Sequence, residues 1–263
     1  MGMTLEVLIC TYGNDGIDRV ANMNLPQVDN VKYLISWQTE GFDFLTPNEL
    51  HRKDIKIVTS RQKGLSNNRN HAIEKASGDI CLIADDDLTY THDQLKAIIH
   101  TFENNPNIDF ALFKYSGGDL KSYPSYEFNL KKEPKGYYIT SFEIAFRRTS
   151  VDSSLRFDSR LGVGTSMPAG EEAIFIYQAL KKGLNCRFFP ITITHHAELT
   201  TGSRTPTPGV LQANGVVVAV KYGLLGLLRL PIIAWRHHKQ GEEKFFPAVH
   251  NLLKGYIYGK KNF

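Results

Sequence analysis

The sequence predicts an α/β protein in which an open, mixed and mostly parallel sheet is flanked by helices, followed by a C-terminal helical extension. Two observations support this fold class. Continuous apolar runs, typical of strands buried on both faces, alternate with helical segments over the first two thirds of the chain. A helix between two strands forms a crossover, which makes those strands parallel. The 263 residues are 42% hydrophobic, which is enough for a sizeable core.

The predicted strands are apolar runs that end in polar residues. Ligands of such sheets bind at the carboxyl ends of the strands, so these polar ends mark the edge where function is expected. The runs are LEVLICTY (5–12), VKYLISW (31–37), DIKIVTS (54–60), DICLIA (79–84), IDFALFKY (108–115) and FFPITITHH (188–196).

Two helices are predicted from their caps and apolar faces. The first lies between the third and fourth strands, with Ser66 as its N-cap and Gly78 as the residue that stops it. The second begins with a capping box formed by Thr91 and Gln94. Its apolar residues recur at helical spacing: Leu95, Ile98, Ile99 and Phe102.

Positive charge is concentrated at the C-terminus. The last 43 residues carry eight Lys or Arg and two Glu, a net charge of +6, whereas the other 220 residues carry −2. The same region contains the apolar stretch YGLLGLLRLPIIAWRHH (222–238). With the preceding VVVAVK (216–221) it approaches the length of a membrane span, but Lys221 and Arg229 inside it would be costly at the centre of a bilayer. We interpret it as a segment that lies on an anionic membrane surface, or alternatively as a helix pair that packs on the protein's own core.

The chain is accordingly divided into a domain of residues 1–205 and a basic, amphipathic helical region of residues 206–263. The basic residues of the second region are diluted by aliphatic ones, so nucleic acid is not expected as a partner. Three widely spaced cysteines (10, 81 and 186) and an N-terminus without a secretory signal indicate a reducing compartment. The expected location is the cytoplasm, peripherally on the inner face of the cell membrane.

Three adjacent carboxylates follow the fourth strand. Asp85, Asp86 and Asp87 repel one another unless a cation compensates, and a divalent ion with oxygen ligands does so while leaving positions open for phosphate. In extended backbone Asp85 and Asp87 point the same way, so they can share one ion while Asp86 points elsewhere. The alternative is a solvated acidic turn. The chain lacks the glycine-rich phosphate-binding motifs of other nucleotide-binding classes.

Three segments, in this order, resemble family 2 glycosyltransferases of the GT-A fold, a Rossmann-like fold that binds nucleotide-diphosphate sugars. They are LEVLICTY (5–12), KGLSNNRNHAIEKASGDICLIADDD (63–87) and RFDSRLGVGTSMPAGEEAIFIYQALKKGLNCRFFP (156–190). The resemblance implies inverting transfer of a sugar from a nucleotide-diphosphate donor, with Mn²⁺ or Mg²⁺ bound through a DxD motif. Asp85 and Asp87 match the two acidic positions of that motif.

The resemblance also implies donor contacts. Thr11 and Tyr12 correspond to nucleoside-binding positions, although an ordinary strand end is the alternative. Arg69 and Lys63 offer positive charge to a diphosphate, the alternative being exposed surface cations. The donor-binding set is completed by Gln38, Asp85 and Asp86. The family usually has an acidic turn after its second strand, whereas this chain has LISWQTEG (34–41), with Gln38 and Glu40 as the only polar substitutes.

The run AGEEAIFIYQALKKG (169–183) places Glu171 and Glu172 in the first turn of a helix. The helix dipole would stabilise acids there without any catalysis. Inverting transfer, however, needs a base that takes the proton of the acceptor hydroxyl. By resemblance that base is Glu172, with Glu171 orienting or binding the acceptor. The preceding GVGTSMP (162–168) is either a mobile acceptor loop or a plain connector.

Two histidines end the last predicted strand. GT-A enzymes often supply a metal-binding histidine from this region; His196 is the first candidate and His195 the second, and an imidazole suits Mn²⁺ better than Mg²⁺. In the polar stretch that follows, Ser203 and Arg204 could close over the diphosphate.

Taken together, these features predict a membrane-associated, metal-dependent, inverting glycosyltransferase. Its donor would be a nucleotide-diphosphate sugar and its acceptor a saccharide or lipid-linked hydroxyl, in the synthesis of cell-surface polysaccharide. The alternatives are a sugar-nucleotide nucleotidyltransferase and a non-catalytic protein that binds sugar nucleotides or polysaccharide. CTYGNDGIDR (10–19) contains Gly13, Gly16 and Arg19, but without the spacing of a nucleotidyltransferase signature.

Overall fold

A computed structural model describes residues 2–117, 121–196 and 206–263. Ser203 and Arg204 lie outside the described residues. The described chain forms one mixed sheet, helices on both of its faces, and a C-terminal group of helices.

The sheet contains nine strands within the described residues. Its order is β3-β2-β1-β4-β8-β6-β9-β5, and β7 pairs with β9. Strands β1 to β4 are parallel neighbours, as is the pair β6 and β9, whereas β8, β5 and β7 pair antiparallel to their neighbours. The strands are β1 (Leu5–Tyr12), β2 (Val31–Gln38), β3 (Ile55–Ser60), β4 (Ile80–Ala84), β5 (Leu88–Thr89), β6 (Phe110–Ser116), β7 (Phe128–Asn129), β8 (Ile144–Arg147) and β9 (Cys186–His196). The mixed, mostly parallel sheet and the apolar runs predicted to be strands are therefore confirmed.

Seven α-helices occur in the described residues. They are α1 (Gly13–Asn22), α2 (Leu65–Lys75), α3 (His92–Asn104), α4 (Glu171–Lys181), α5 (Pro208–Tyr222), α6 (Leu230–Lys239) and α7 (Phe245–Asn262). The predicted capping box of α3 is present, and its apolar face is buried as expected. The C-terminal helical extension is confirmed, while the domain boundary after residue 205 stays a prediction.

The predicted ends of α2 are wrong. The helix begins at Leu65 after Gly64, and Ser66 lies inside it, where its hydroxyl donates to the carbonyl of Leu161 at 2.6 Å. It ends at Lys75, before Gly78. A Cβ atom at Gly78 would lie 2.7 Å from Cβ of Glu6, so this glycine allows a close approach to β1. The preference of Ser66 for an N-cap position is overridden by its hydrogen bond to Leu161. The preference of Gly78 for a helix end is overridden by its packing against β1.

The core lies on both faces of the sheet. β1 is buried on both faces from Leu5 to Cys10, as the continuous apolar run predicts. A separate apolar cluster holds α5, α6 and α7 together, and a further one joins α4 and the segment before it to α5 through Ile174 and Val216. The three cysteines are buried free thiols, and burial raises the pKa of Cys10 and Cys186 to about 12. They act as small core residues.

Candidate active site

The acidic triplet lies at the carboxyl edge of the sheet. β4 ends at Ala84, which pairs with Ile9 of the parallel strand β1, so the end of β1 and the triplet meet. Each of the three carboxylates has a different cationic or imidazole partner. Three adjacent acids are therefore accommodated because each has its own partner, rather than one partner that all three share.

Asp86 is held by the segment after β1. Its Oδ2 accepts a hydrogen bond from the hydroxyl of Thr11 at 2.5 Å and one from Nη2 of Arg19 at 2.8 Å, and its Oδ1 accepts from Nε of Arg19 at 3.2 Å. The Asp86 carboxylate raises the pKa of Arg19. Gly16 permits this packing, because a Cβ atom there would lie 2.2 Å from Oγ1 of Thr11. Gly16 and Arg19, noted in the sequence for a different chemistry, therefore build the support of the triplet.

Asp87 faces His196. Leu88 of β5 pairs with His196 of β9, and this register brings Oδ2 of Asp87 to 3.1 Å from Nε2 of His196. The imidazole stacks on the ring of Phe142, with 5.3 Å between centroids. Burial and the negative charge of Asp85 raise the pKa of Asp87, although His196 acts in the opposite direction. Of the two candidate histidines, it is therefore His196 that contacts the triplet.

His195 points to the other side of β9. It is exposed, and its Nδ1 lies 3.2 Å from the hydroxyl of Ser116. The alternation of side chains along a strand separates the two histidines.

Asp85 and Glu171 are joined by one guanidinium. Arg69, on α2, is 1% exposed and lies 3.0 Å from Oδ1 of Asp85 and 2.7 Å from Oε1 of Glu171. It also donates to the hydroxyl of Ser141 at 2.8 Å. Burial alone would lower the pKa of Arg69, but the two carboxylates more than offset this and raise it. The alternative that Arg69 is an exposed surface cation is wrong.

The two glutamates begin α4. Gly170 precedes the helix with φ of +82°, and a Cβ atom there would lie 2.9 Å from Val217 of α5, so both backbone conformation and space favour glycine. Glu171 is buried, and its Oε2 has no hydrogen-bond partner in the described part of the chain. Burial and the negative charge of Glu171 raise the pKa of Glu172 well above its usual value. A carboxylate with a raised pKa, such as Glu172 in the first turn of α4, is suited to take up a proton.

The remaining predicted donor residues lie at the same edge in different environments. Thr11 is buried on Asp86, whereas Tyr12 is 58% exposed and open to solvent. Gln38 is buried, and its amide NH₂ donates to the carbonyls of Gln62 and Gly64, which fixes the segment before α2. Lys63 is exposed and forms an ion pair with Glu40 at 3.1 Å. Gln38 therefore stabilises the segment before α2, whereas the side chains of Tyr12 and Lys63 lie outside the core.

The segment 162–168 is anchored at several points. Its Val163 carbonyl accepts from the backbone N–H of Leu65 at 3.0 Å, and Gly162 donates to the carbonyl of Met167 at 3.0 Å. A Cβ atom at Gly209 would lie 2.3 Å from the Ser166 carbonyl oxygen. The segment thus connects the starts of α2, α4 and α5.

Sequence reasoning missed a buried pair behind this site. Lys121 and Glu143 lie 2.6 Å apart with both side chains almost fully buried, and the hydroxyl of Tyr123 donates to the same carboxylate. Glu143 closes the short 3₁₀ turn Ser141–Glu143 through a capping box with Thr140. That turn carries Ser141, which donates to Arg69's partner Asp85 at 3.5 Å. Nothing in the local sequence pattern signals this link, because its members are about twenty residues apart.

The site offers two metal ligands in contact. Within the described ranges, no three His, Cys, Asp or Glu side chains are grouped closely enough to hold a metal ion by themselves. Asp87 and His196 nevertheless present a carboxylate and an imidazole together, and Nδ1 of His196 is buried without a partner in the same ranges. Mg²⁺ and Mn²⁺ sites on nucleotides commonly use one or two protein ligands, with phosphate and water supplying the rest. The residues present fit such an ion.

Comparisons with known proteins agree with this geometry. Residues 45–161, which include Arg69 and the acidic triplet, match the protein-family model described as glycosyl transferase family 2. Over this stretch the chain is similar to family 2 glycosyltransferases. No curated protein sequence matches this chain.

Solved structures show the same fold. TarS of S. aureus is 15% identical with a TM-score of 0.57, and the match covers 89% of this chain but only 42% of TarS. A TarS 1–349 structure in complex with UDP-GlcNAc is 16% identical with a TM-score of 0.57, covering 90% and 73% of the two chains. The mannosyltransferase PcManGT from Pyrobaculum calidifontis, in complex with GDP-Man and Mn²⁺, is 13% identical with a TM-score of 0.57, covering 100% and 76%. These similarities confirm the GT-A-like fold.

Proposed function

We propose that this protein is a metal-dependent, inverting glycosyltransferase that moves a sugar from a nucleotide-diphosphate donor to an acceptor hydroxyl. The acceptor would be a saccharide or a lipid-linked molecule, in the synthesis of cell-surface polysaccharide. The observation that carries the proposal is the buried Arg69, which bonds to Asp85 at 3.0 Å and to Glu171 at 2.7 Å. One rigid side chain thus fixes the acidic triplet relative to the glutamates of α4.

The donor diphosphate would lie against the triplet. Asp87 and His196 would hold the divalent ion, with Asp85 beside them, and the ion would supply charge neutralisation for the departing diphosphate. PcManGT, which shares the fold, was solved with Mn²⁺ and a nucleotide sugar, and TarS with UDP-GlcNAc, which supports a donor of this class. The ring of Tyr12 and the amine of Lys63 are both exposed and would contact the nucleotide, although the amine is paired with Glu40 at 3.1 Å.

Glu172 would act as the base. Inverting transfer places the acceptor hydroxyl on the face of the sugar opposite the leaving group, so the base has to lie across the site from the diphosphate. The hydroxyl oxygen forms the new bond to the anomeric carbon, its proton passes to Glu172, and the bond from that carbon to the diphosphate oxygen breaks. Glu171, whose carboxylate is paired with Arg69 at 2.7 Å, would orient the acceptor beside it.

The proposal is tested by the variant Glu172→Gln. Glutamine keeps the size of the side chain but cannot take up the proton, so we expect donor binding to be retained and transfer to fall by about 10²–10⁴-fold. Donor binding is measured by titration calorimetry with a nucleotide-sugar panel, and transfer by release of nucleoside diphosphate. Glu49→Gln, at an exposed glutamate of the same domain, is the matched control.

The products separate the alternatives. Release of nucleoside diphosphate with inversion of the anomeric configuration, seen by NMR, supports the proposal. Release of pyrophosphate indicates a nucleotidyltransferase, and donor binding without any turnover indicates a non-catalytic binding protein. Unchanged transfer by Glu172→Gln would remove Glu172 from the role of base.

A further inference from the structure

Exposed apolar side chains are concentrated in the C-terminal helices. Of the fifteen large hydrophobic side chains that are exposed in the described part of the chain, nine lie between positions 224 and 257. Scattered exposed hydrophobics are normal on a protein surface, but a contiguous group indicates an interaction surface. The group consists of Leu224, Leu225, Leu227, Leu228, Ile232, Trp235, Phe246, Leu253 and Ile257.

These side chains form stripes on neighbouring elements. Leu228, Ile232 and Trp235 recur at spacings of four and three, which places them on one face of the helical segment that ends in α6. On α7, Phe246, Leu253 and Ile257 share a face in the same way. The two elements meet where the ring of Trp235 on α6 lies 6.1 Å from the ring of Phe245 on α7, measured between centroids. We call this group of nine residues the apolar C-terminal face.

Exposed cations flank the apolar C-terminal face. α6 ends in Arg236 and Lys239, and α7 carries further exposed lysines at positions 254, 260 and 261. The last 43 residues have a net charge of +6. Apolar side chains next to Lys and Arg match an anionic bilayer, whose headgroups attract the cations while the acyl boundary accepts the apolar groups.

The packing argues against a spanning helix. Residues Pro208–Lys239 form a helical stretch of 32 residues, within which an 18-residue window has a mean hydropathy of 1.9, long and apolar enough to cross a bilayer. Its first half, however, packs against the rest of the protein. A Cβ atom at Gly215 would lie 2.1 Å from the carbonyl oxygen of Leu252, and one at Gly255 would lie 1.8 Å from that of Gln212, so α5 and α7 touch backbone to backbone. If Pro208–Lys239 crossed a bilayer without α7, this contact would have to break.

We propose that the apolar C-terminal face docks on an anionic lipid bilayer, with the segment Gly223–Lys239 and α7 lying in the interface rather than crossing it. α5 connects this face to the active site, because Ala213 and Val216 share an apolar cluster with Ile174 of α4. The membrane contact is therefore only one helix away from the helix that begins with Glu171 and Glu172.

The first test is binding to preformed vesicles. The full chain should co-float with vesicles of phosphatidylglycerol and phosphatidylcholine, bind at least tenfold more weakly to pure phosphatidylcholine, and be released by high salt. The experiment needs neither donor nor acceptor, so its outcome does not depend on the proposed function. Equal binding to both vesicles, or no binding to either, would overturn the proposal.

The two tryptophans allow a site-specific readout. Trp37 is buried and donates to the carbonyl of Gly13, whereas Trp235 is 52% exposed within the apolar C-terminal face. Lipids brominated near the headgroup should quench the fluorescence of Trp235, and the variant Trp235→Phe should lose that quenching. Quenching that persists in Trp235→Phe would contradict the assigned surface.

Variants separate the apolar and ionic contributions. Leu228→Ser should weaken binding about tenfold through lost apolar burial, and Arg236→Ala about fivefold through lost attraction to anionic lipid. The matched controls are Leu45→Ser, at a leucine that is 92% exposed, and Lys96→Ala, at an exposed lysine of α3; neither should change binding. Losses equal to those of the controls would overturn the proposal. So would a dimer, found by light scattering without lipid, that Leu228→Ser converts to monomer, because the face would then be occupied by a second copy.

Discussion

Replacing Arg69 by methionine should destabilise the protein by about 3–5 kcal/mol, the cost of removing one partner of a buried ion pair. Arg69 is 1% exposed, and it is the cation that pairs with Glu171, whose side chain is 7% exposed. Without the guanidinium, Glu171 is left as a buried charge without compensation. Asp85 adds less, because its side chain is 30% exposed and water can solvate it. Methionine preserves most of the buried volume, so the loss reports charge rather than a cavity.

The assay is equilibrium unfolding in urea, followed by circular dichroism, with the slope against urea checked to be unchanged. The double variant Arg69→Met, Glu171→Gln should recover about 2 kcal/mol of the loss, since a neutral amide is cheaper to bury than an unpaired carboxylate. Arg61→Met, at an exposed arginine just before α2, is the matched control and should stay within about 0.5 kcal/mol of the wild type. A loss of less than about 1 kcal/mol for Arg69→Met, or no recovery in the double variant, would refute the electrostatic reasoning.

Three further predictions concern the metal, the base and the C-terminal helices. Asp87→Asn should abolish the increase in donor affinity that Mn²⁺ produces in titration calorimetry, while metal-free donor binding changes little; an unaltered response to Mn²⁺ would place the ion elsewhere. Because the base works deprotonated and the pKa of Glu172 is raised, kcat/KM should rise with pH through a value above the usual 4.5 of a glutamate. Glu171→Gln removes the negative charge that contributes to this shift, so the acidic limb of the pH profile of kcat/KM should move to lower pH. An acidic limb that stays in place would count against Glu172 as the base. Gly255→Ala should lower the stability of the C-terminal helices by about 1–3 kcal/mol, because its new methyl group would meet the carbonyl of Gln212. Thermal unfolding measures the loss. An unchanged melting temperature would show that α5 and α7 can separate without cost.

The strands were predictable because the signal is local. Five of the six positions from Leu5 to Cys10 in β1 are apolar, Glu6 being the exception, and a strand buried on both faces needs such a run. His196 was also within reach of sequence reasoning, since it ends such a strand. The local signal fails at Ser66, whose hydroxyl bonds to Leu161, 95 residues away, instead of capping its own helix.

The supports of the site could not be predicted in the same way. Arg69 was expected to face a diphosphate, yet it is buried between Asp85 and Glu171, which lies 102 residues further along the chain. Ser141 and the buried pair of Lys121 and Glu143 carry no pattern of spacing at all. Long-range ion pairs are set by the packing of the whole sheet, so one sequence can suggest which residues reach the edge but not which of them bond to each other.

The three carboxylates of the triplet have different partners, and this difference indicates which of them can bind a metal ion. Asp86 accepts three hydrogen bonds from Thr11 and Arg19 and is therefore already satisfied as an anion. Asp85 shares the guanidinium of Arg69 with Glu171. Asp87 has only an imidazole, which is a cation solely when protonated, and burial raises the pKa of its carboxyl. Positive charge is thus least complete at Asp87, and a divalent ion brought in with a diphosphate would gain most there. On this reasoning Asp86→Asn should weaken the fold around β1 more than it weakens metal binding, whereas Asp87→Asn should do the reverse.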